Sequence, residues 1–192
     1  MATLRSREAP IGDYFRTLRR FSSSARLYLI SSALFGFTIF GGIYSLLLNL
    51  YLLRLGYGPG FVGVVNASGM LALALFSLPA GALGDRWGSR RGLIAGLSLI
   101  TTGLVLLPLA ELFSAPLRSG WLIGTYMIAW LGVALYFVNT NPFLMGVTTP
   151  VERNHVFSVQ VALWPIAGFL GSLVGGVLPS HIANLLRVTL DH

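Results

Sequence analysis

Cysteine is absent from the 192 residues, which excludes disulfides, thiol catalysis and thiolate-bound metal. Lysine is absent as well: all 13 basic residues are arginine, against six acidic ones. Charged residues make up only 10% of the chain and apolar ones 55%, with a mean hydropathy of +0.76. That composition lies outside the range of water-soluble domains and points to lipid as the medium. The formal charge of +7 does not indicate nucleic acid, because the arginines lie in clumps between long uncharged runs. A nucleic-acid groove would instead need a basic stripe interleaved with exposed aromatics. Catalysis has no visible constellation either. His155, His181 and His192 are far apart and belong to no H-E-x-x-H or G-x-S-x-G pattern, so neither an enzyme, a metal site nor a cofactor is expected.

What the chain has is long apolar runs. A helix crosses about 30 Å of hydrocarbon with roughly 20 apolar residues, and in lipid it must satisfy its own backbone groups. Residues 27–53, 60–83, 92–110, 120–145 and 156–179 contain no Asp, Glu, Lys or Arg, while the gaps between them hold charges and turn residues. The expected fold class is therefore all-α, a polytopic membrane bundle of five helices spread over residues 27–180. The first run is too long for the core of a cleavable signal peptide and no A-x-A site follows it, so it is expected to stay as a span.

Arginine placement sets the orientation, since positive residues near span ends are retained in the cytoplasm. With the N-terminus inside, Arg5, Arg7, Arg16, Arg19, Arg20, Arg26, Arg86, Arg90, Arg91 and Arg153 fall on the inner face, and Arg54, Arg118 and Arg187 outside. This predicts a multi-pass protein of the cell membrane with a cytoplasmic N-terminal segment, residues 1–26. Within that segment Ile11, Phe15, Leu18 and Phe21 recur at helical spacing, as in a helix lying on the inner surface. A disordered basic tail that serves topology alone is the other reading. Residues 181–192 are too few for another crossing and read as an extracytoplasmic loop interrupted before a sixth helix, so a truncated chain is expected.

Between the second and third spans runs Gly81-Ala82-Leu83-Gly84-Asp85-Arg86-Trp87-Gly88-Ser89-Arg90-Arg91. Gly81 and Gly84 permit a neighbouring helix to approach, and Gly88 supplies the freedom of a tight turn. Arg86, Arg90 and Arg91 suit the anionic inner leaflet. Asp85, a carboxylate at the membrane boundary, calls for Arg donors or the N-terminal end of a helix. The segment resembles the signature of the major facilitator superfamily, G-x-x-x-D-[RK]-x-G-x-[RK]-[RK], at every specified position and in the expected loop. The resemblance runs over residues 12–180 and implies the N-terminal six-helix bundle of a transporter, cut before its sixth helix. It implies that Asp85 latches the cytoplasmic gate against the opposite bundle, with Arg86 as companion, and that this C-terminal bundle is a missing partner. A purely topogenic turn is the alternative, most of all for Arg90 and Arg91. Two other signatures of the superfamily are incomplete. Residues 167–176 keep the packing glycines Gly168, Gly171, Gly175 and Gly176 of an antiporter motif without its proline, and span four lacks the embedded arginine of many proton-coupled exporters.

Such transporters place their solute near mid-membrane between the two bundles. On span one, Ser31, Thr38, Gly42, Ser45 and Asn49 follow at spacings of seven, four, three and four, one polar stripe. Span four offers Thr125, Gly132, Tyr136, Asn139 and Phe143, bent by Pro142. Spans two and five add Asn66 with Met70, and Gln160 with Trp164. From these, Thr38, Ser45, Asn49, Asn66, Met70, Tyr136, Asn139, Gln160 and Trp164 are the expected cavity residues. Uncharged, amide-rich and aromatic walls suit a small neutral or amphipathic solute, as in multidrug or metabolite efflux. Helix-to-helix packing is the competing role for each of them. A coupling acid is not evident: Glu111 sits near the outer end of span three, so the acid lies in unseen sequence or the protein is a uniporter. An anchor or adaptor that moves nothing, held by Gly92-x-x-x-Gly96 and the span-five glycines, remains the non-transporting reading.

Overall fold

Without charges to hydrate, the apolar runs close most of their backbone hydrogen bonds within themselves, as helices. The computed structural model describes residues 22–39 and 41–186. The elements are α1 (Ser23–Thr38), α2 (Ile43–Arg54), α3 (Pro59–Trp87), α4 (Ser89–Leu106), a 3-10 segment (Leu107–Leu112), α5 (Ala115–Val147) and α6 (Pro150–Leu186), with no strand among the described residues. Five stretches are long and apolar enough to cross a membrane: Ser23–Arg54, Pro59–Trp87, Ser89–Leu112, Ala115–Val147 and Glu152–Pro179. The amphipathic stretch Ile11, Phe15, Leu18 and Phe21 and the tail beyond residue 186 lie outside the described residues.

The outer surface fits lipid. Leu78 is 86% exposed and Leu27 68%, and they are joined by Leu75, Val161, Phe169 and many other bare aliphatic side chains. Bare aliphatic side chains in such numbers on each unit suit lipid and not water. This is a multi-pass, all-α membrane protein.

Span one differs from the uninterrupted crossing expected. It breaks between Thr38 and Ile43, where Gly41 takes a φ of +74° that other residues adopt only under strain. Proline does not break the other helices: Pro79, Pro142, Pro165 and Pro179 all lie inside α3, α5 or α6. Pro142 withholds one donor from the carbonyl four residues back without ending α5.

Packing divides the chain into two units. In the first, formed by residues 22–47 and 147–186, α1 and α6 run side by side. Ser22 caps α1 by accepting from the Ala25 amide at 3.1 Å, and its hydroxyl donates to the Val147 carbonyl at 3.0 Å. Gly36 meets the Trp164 backbone, where a Cβ would come within 3.1 Å of the carbonyl oxygen. Gly171 lies directly against the Phe37 carbonyl, and Gly175 packs on Ile43.

The second unit, Leu48–Gly146, contains α3, α4 and α5 with the end of α2. Its centre is a seam between α4 and α5 built from small residues. Gly96 and Gly132 face each other's backbones, Gly103 abuts Ala129 and the Thr125 carbonyl, and Gly92 receives the Asn139 amide. Close backbone approach of this kind is how helices associate in lipid, where apolar side chains gain nothing by leaving the tails.

Candidate functional site

The turn between α3 and α4 takes one residue. Gly88 ends α3 and begins α4 with φ at +85°, its amide donating to the Gly84 carbonyl at 2.8 Å. Its own carbonyl accepts from Arg91 at 3.0 Å and Gly92 at 3.1 Å. Asp85, Arg86, Trp87, Arg90 and Arg91 are all exposed around it. Among the described residues Asp85 has no ion-pair or hydrogen-bond partner. Gly84 is held differently from Gly81: a Cβ on Gly84 would strike the Asn139 amide, whereas one on Gly81 would only touch Val138 at 3.6 Å.

Asn139 thus connects the turn to α5. Its Nδ2 donates to the Leu135 carbonyl at 2.9 Å and reaches the Ala80 carbonyl at 3.5 Å, and the amide is sandwiched between Gly84 and Gly92. This differs from the cavity position expected of it. Thr125, Gly132, Tyr136 and Asn139 are buried in or beside the α4 seam, so the polar stripe of span four is a packing face. The physical reason is that close helix approach and a polar wall both favour small or amide side chains. What separates them is the partner, and α4 presents Gly92, Gly96 and Gly103 at matching heights.

A neighbouring face of α5 carries a different cluster. Tyr126 and Trp130, one turn apart with ring centroids 6.0 Å apart, close over Gly69 of α3, leaving no room there for a Cβ. The Tyr126 hydroxyl reaches Asn66 Oδ1 at 3.4 Å, and Asn66 Nδ2 donates to Asn49 Oδ1 at 3.1 Å and to the Val62 carbonyl at 2.9 Å. Three helices, α2, α3 and α5, therefore share one uncharged hydrogen-bonded group. Asn49 and Asn66 were expected in the site, and Met70 sits a turn beyond, exposed. Tyr126 and Trp130 were missed, although their spacing of four beside glycine-bearing α3 was the available signal.

The remaining expected cavity residues belong to the first unit. The Trp164 indole donates to the fully buried Ser32 hydroxyl at 2.5 Å and lies 6.2 Å from the Phe35 ring. Gln160, one turn away, is buried, and its Oε1 has no hydrogen-bond partner among the described residues. Thr38 and Ser45 turn their hydroxyls onto the carbonyls of Leu34 and Gly42, so the stripe on span one is divided at the break. Of the span-five glycines, Gly171 and Gly175 make the contacts, Gly168 is buried, and Gly176 is exposed. Trp164→Phe is expected to cost about 1 kcal/mol by leaving the Ser32 oxygen without its donor. Thermal unfolding in detergent checks this, and Ser32→Ala in the same background should recover part of the loss.

Glu111 is exposed at the end of the 3-10 segment, and its carboxylate and the Arg118 guanidinium both lie within electrostatic reach of the Tyr51 hydroxyl. No group of three metal-binding side chains occurs among the described residues.

A sequence model of the Major Facilitator Superfamily matches residues 28–183, more than four-fifths of the chain. The chain belongs to the major facilitator superfamily. Proteins of this superfamily are transporters, and the complete signature on the Gly88 turn agrees with membership. The chain is also similar to the methyl viologen resistance protein SmvA of two Salmonella typhimurium strains, at 35% identity over 115 residues. That stretch is 58% of this chain and 21% of each relative, so the chain matches about a fifth of their length. No solved structure matches it.

Proposed function

We propose that this chain is part of a carrier in the cell membrane, its N-terminus cytoplasmic, that exports a small amphipathic aromatic solute by alternating access. The superfamily match across all five spans carries the reading. The solute class rests on the second unit's uncharged group, where half-buried Asn49 and Asn66 supply hydrogen bonds and half-buried Trp130 supplies a ring, with buried Tyr126 packed behind them. Viologens are flat aromatic cations, and such ions are attracted to the faces of tryptophan rings. The relatives' name therefore fits the chemistry of this cluster, and export would account for resistance. Asp85 acts as the gate latch in this reading, engaging a partner bundle of the complete transporter.

The complete protein, expressed in cells stripped of their own viologen export, should lower viologen accumulation. Asn66→Leu should raise the half-saturating concentration about fivefold, the equivalent of about 1 kcal/mol for one lost hydrogen bond. Equal accumulation with and without the protein would rule out viologen-like cations as its solutes.

A further inference from the structure

The exposed turn at Gly88 rests on one buried side chain. Gly84 and Gly92 lie one helical turn into α3 and one into α4 on either side of Gly88, and both are buried against the same amide. That amide belongs to Asn139 of α5, which is only 2% exposed although it is polar and lies within a span. A Cβ on Gly84 would overlap its Oδ1, and one on Gly92 would come within 2.5 Å of its Cγ and 2.6 Å of its Nδ2. The flat amide fills the gap between two backbones.

Its hydrogen bonds keep it there. Nδ2 donates to the Leu135 carbonyl one turn back along α5 at 2.9 Å, and reaches the carbonyl of Ala80, one turn before Gly84 on α3, at 3.5 Å. The turn has little else to set its angle. Its backbone bonds all run to or from Gly88, a residue with the freedom to rotate, and Asp85, Arg86, Trp87 and Arg90 around it are exposed. What fixes the last turn of α3 against the first turn of α4 is the amide between them.

We propose that Asn139 is the positioning residue of the gate: by seating both helix ends on one amide anchored to α5, it holds the Asp85 carboxylate where it can meet its donors in the partner bundle. The inference rests on the reading of Asp85 as a latch. Asp85 directly follows Gly84, so any displacement of the last turn of α3 moves the carboxylate with it. A shift of about 1 Å takes a hydrogen bond out of its working range. Asn139 touches no solute and makes no gate contact of its own; it acts through the backbone on which Asp85 stands.

The test reads the gate without a solute. In the complete protein, with any cysteine elsewhere replaced, Trp87→Cys puts a thiol on the exposed turn two residues from Asp85, and its rate of reaction with a maleimide is measured in nanodiscs. An engaged latch shields that thiol. Asp85→Asn should speed the reaction about tenfold, the effect of losing one charge-assisted hydrogen bond. Asn139→Ala, and the milder Asn139→Ser, should speed it about threefold to fivefold by misaligning that bond. Asp85→Asn with Asn139→Ala should react no faster than Asp85→Asn alone, because Asn139 works only through the carboxylate. Trp164→Phe, which loosens the first unit by a similar amount, should leave the rate unchanged, and melting in detergent confirms that each variant is folded. A parental rate for Asp85→Asn would sink the latch reading and this inference with it. A parental rate for folded Asn139→Ala or Asn139→Ser, with Asp85→Asn fast, would leave the latch standing and overturn the positioning role. A combined variant faster than Asp85→Asn, or equal acceleration by Trp164→Phe, would also overturn it, since either would mean general loosening.

Discussion

Gly84→Ala should destabilise the protein by about 2 kcal/mol, a large cost for one methyl group, because its only space is already filled. The new Cβ would collide with the Asn139 amide, and that amide cannot retreat, since Gly92 closes its other side with a would-be Cβ 2.5 Å from Asn139 Cγ. Asn139→Ala alone should cost about 1 kcal/mol through its bond to the Leu135 carbonyl. Combined, the two changes should cost less than their sum by about 1 kcal/mol or more, because the shortened side chain vacates the space that the methyl group needs. Denaturation midpoints of the purified single and double variants measure this coupling. Strict additivity would show that Asn139 is not wedged between the two glycines.

The same wedge explains which parts of the molecule were legible in the sequence. The five spans and their all-α class followed from where charge is missing, because lipid penalises an unpaired charge or backbone group far more than any packing choice can offset. The Gly88 turn was legible because a one-residue reversal needs positive φ, and the signature around it fixes the spacing. The role of Asn139 was not legible. A stripe of small and amide residues satisfies a solute-facing wall and a glycine seam equally well, and only the facing helix decides. Gly92 and Gly96 were visible as a packing pair, but their registry with Asn139 and Gly132 is a long-range fact. The Ser32–Trp164 bond spans 132 residues for the same reason. The break in span one was hidden because Gly41-Gly42 also suits close approach, and no proline or charge marks it.

Asp85→Asn should leave stability unchanged or slightly raised while reducing transport by the complete protein about tenfold or more. Asp85 occupies the last turn of α3, where the helix carries partial negative charge and an added carboxylate costs about 0.3–1 kcal/mol. Exposed there, with no ion pair among the described residues, it contributes nothing to local stability that asparagine would not. Its charge therefore matters only if it meets donors elsewhere in one state of the transport cycle. A charge-assisted hydrogen bond is worth about 1.5–3 kcal/mol, enough to shift a two-state gate by one to two orders of magnitude. Asp85→Glu keeps the charge and should retain more flux than the asparagine variant. Solute flux into vesicles and melting in detergent, measured on the same preparations, separate the two effects. Normal flux by correctly inserted Asp85→Asn would leave the carboxylate a topogenic role only, and a large drop in melting temperature would show that it supports the α3–α4 turn itself.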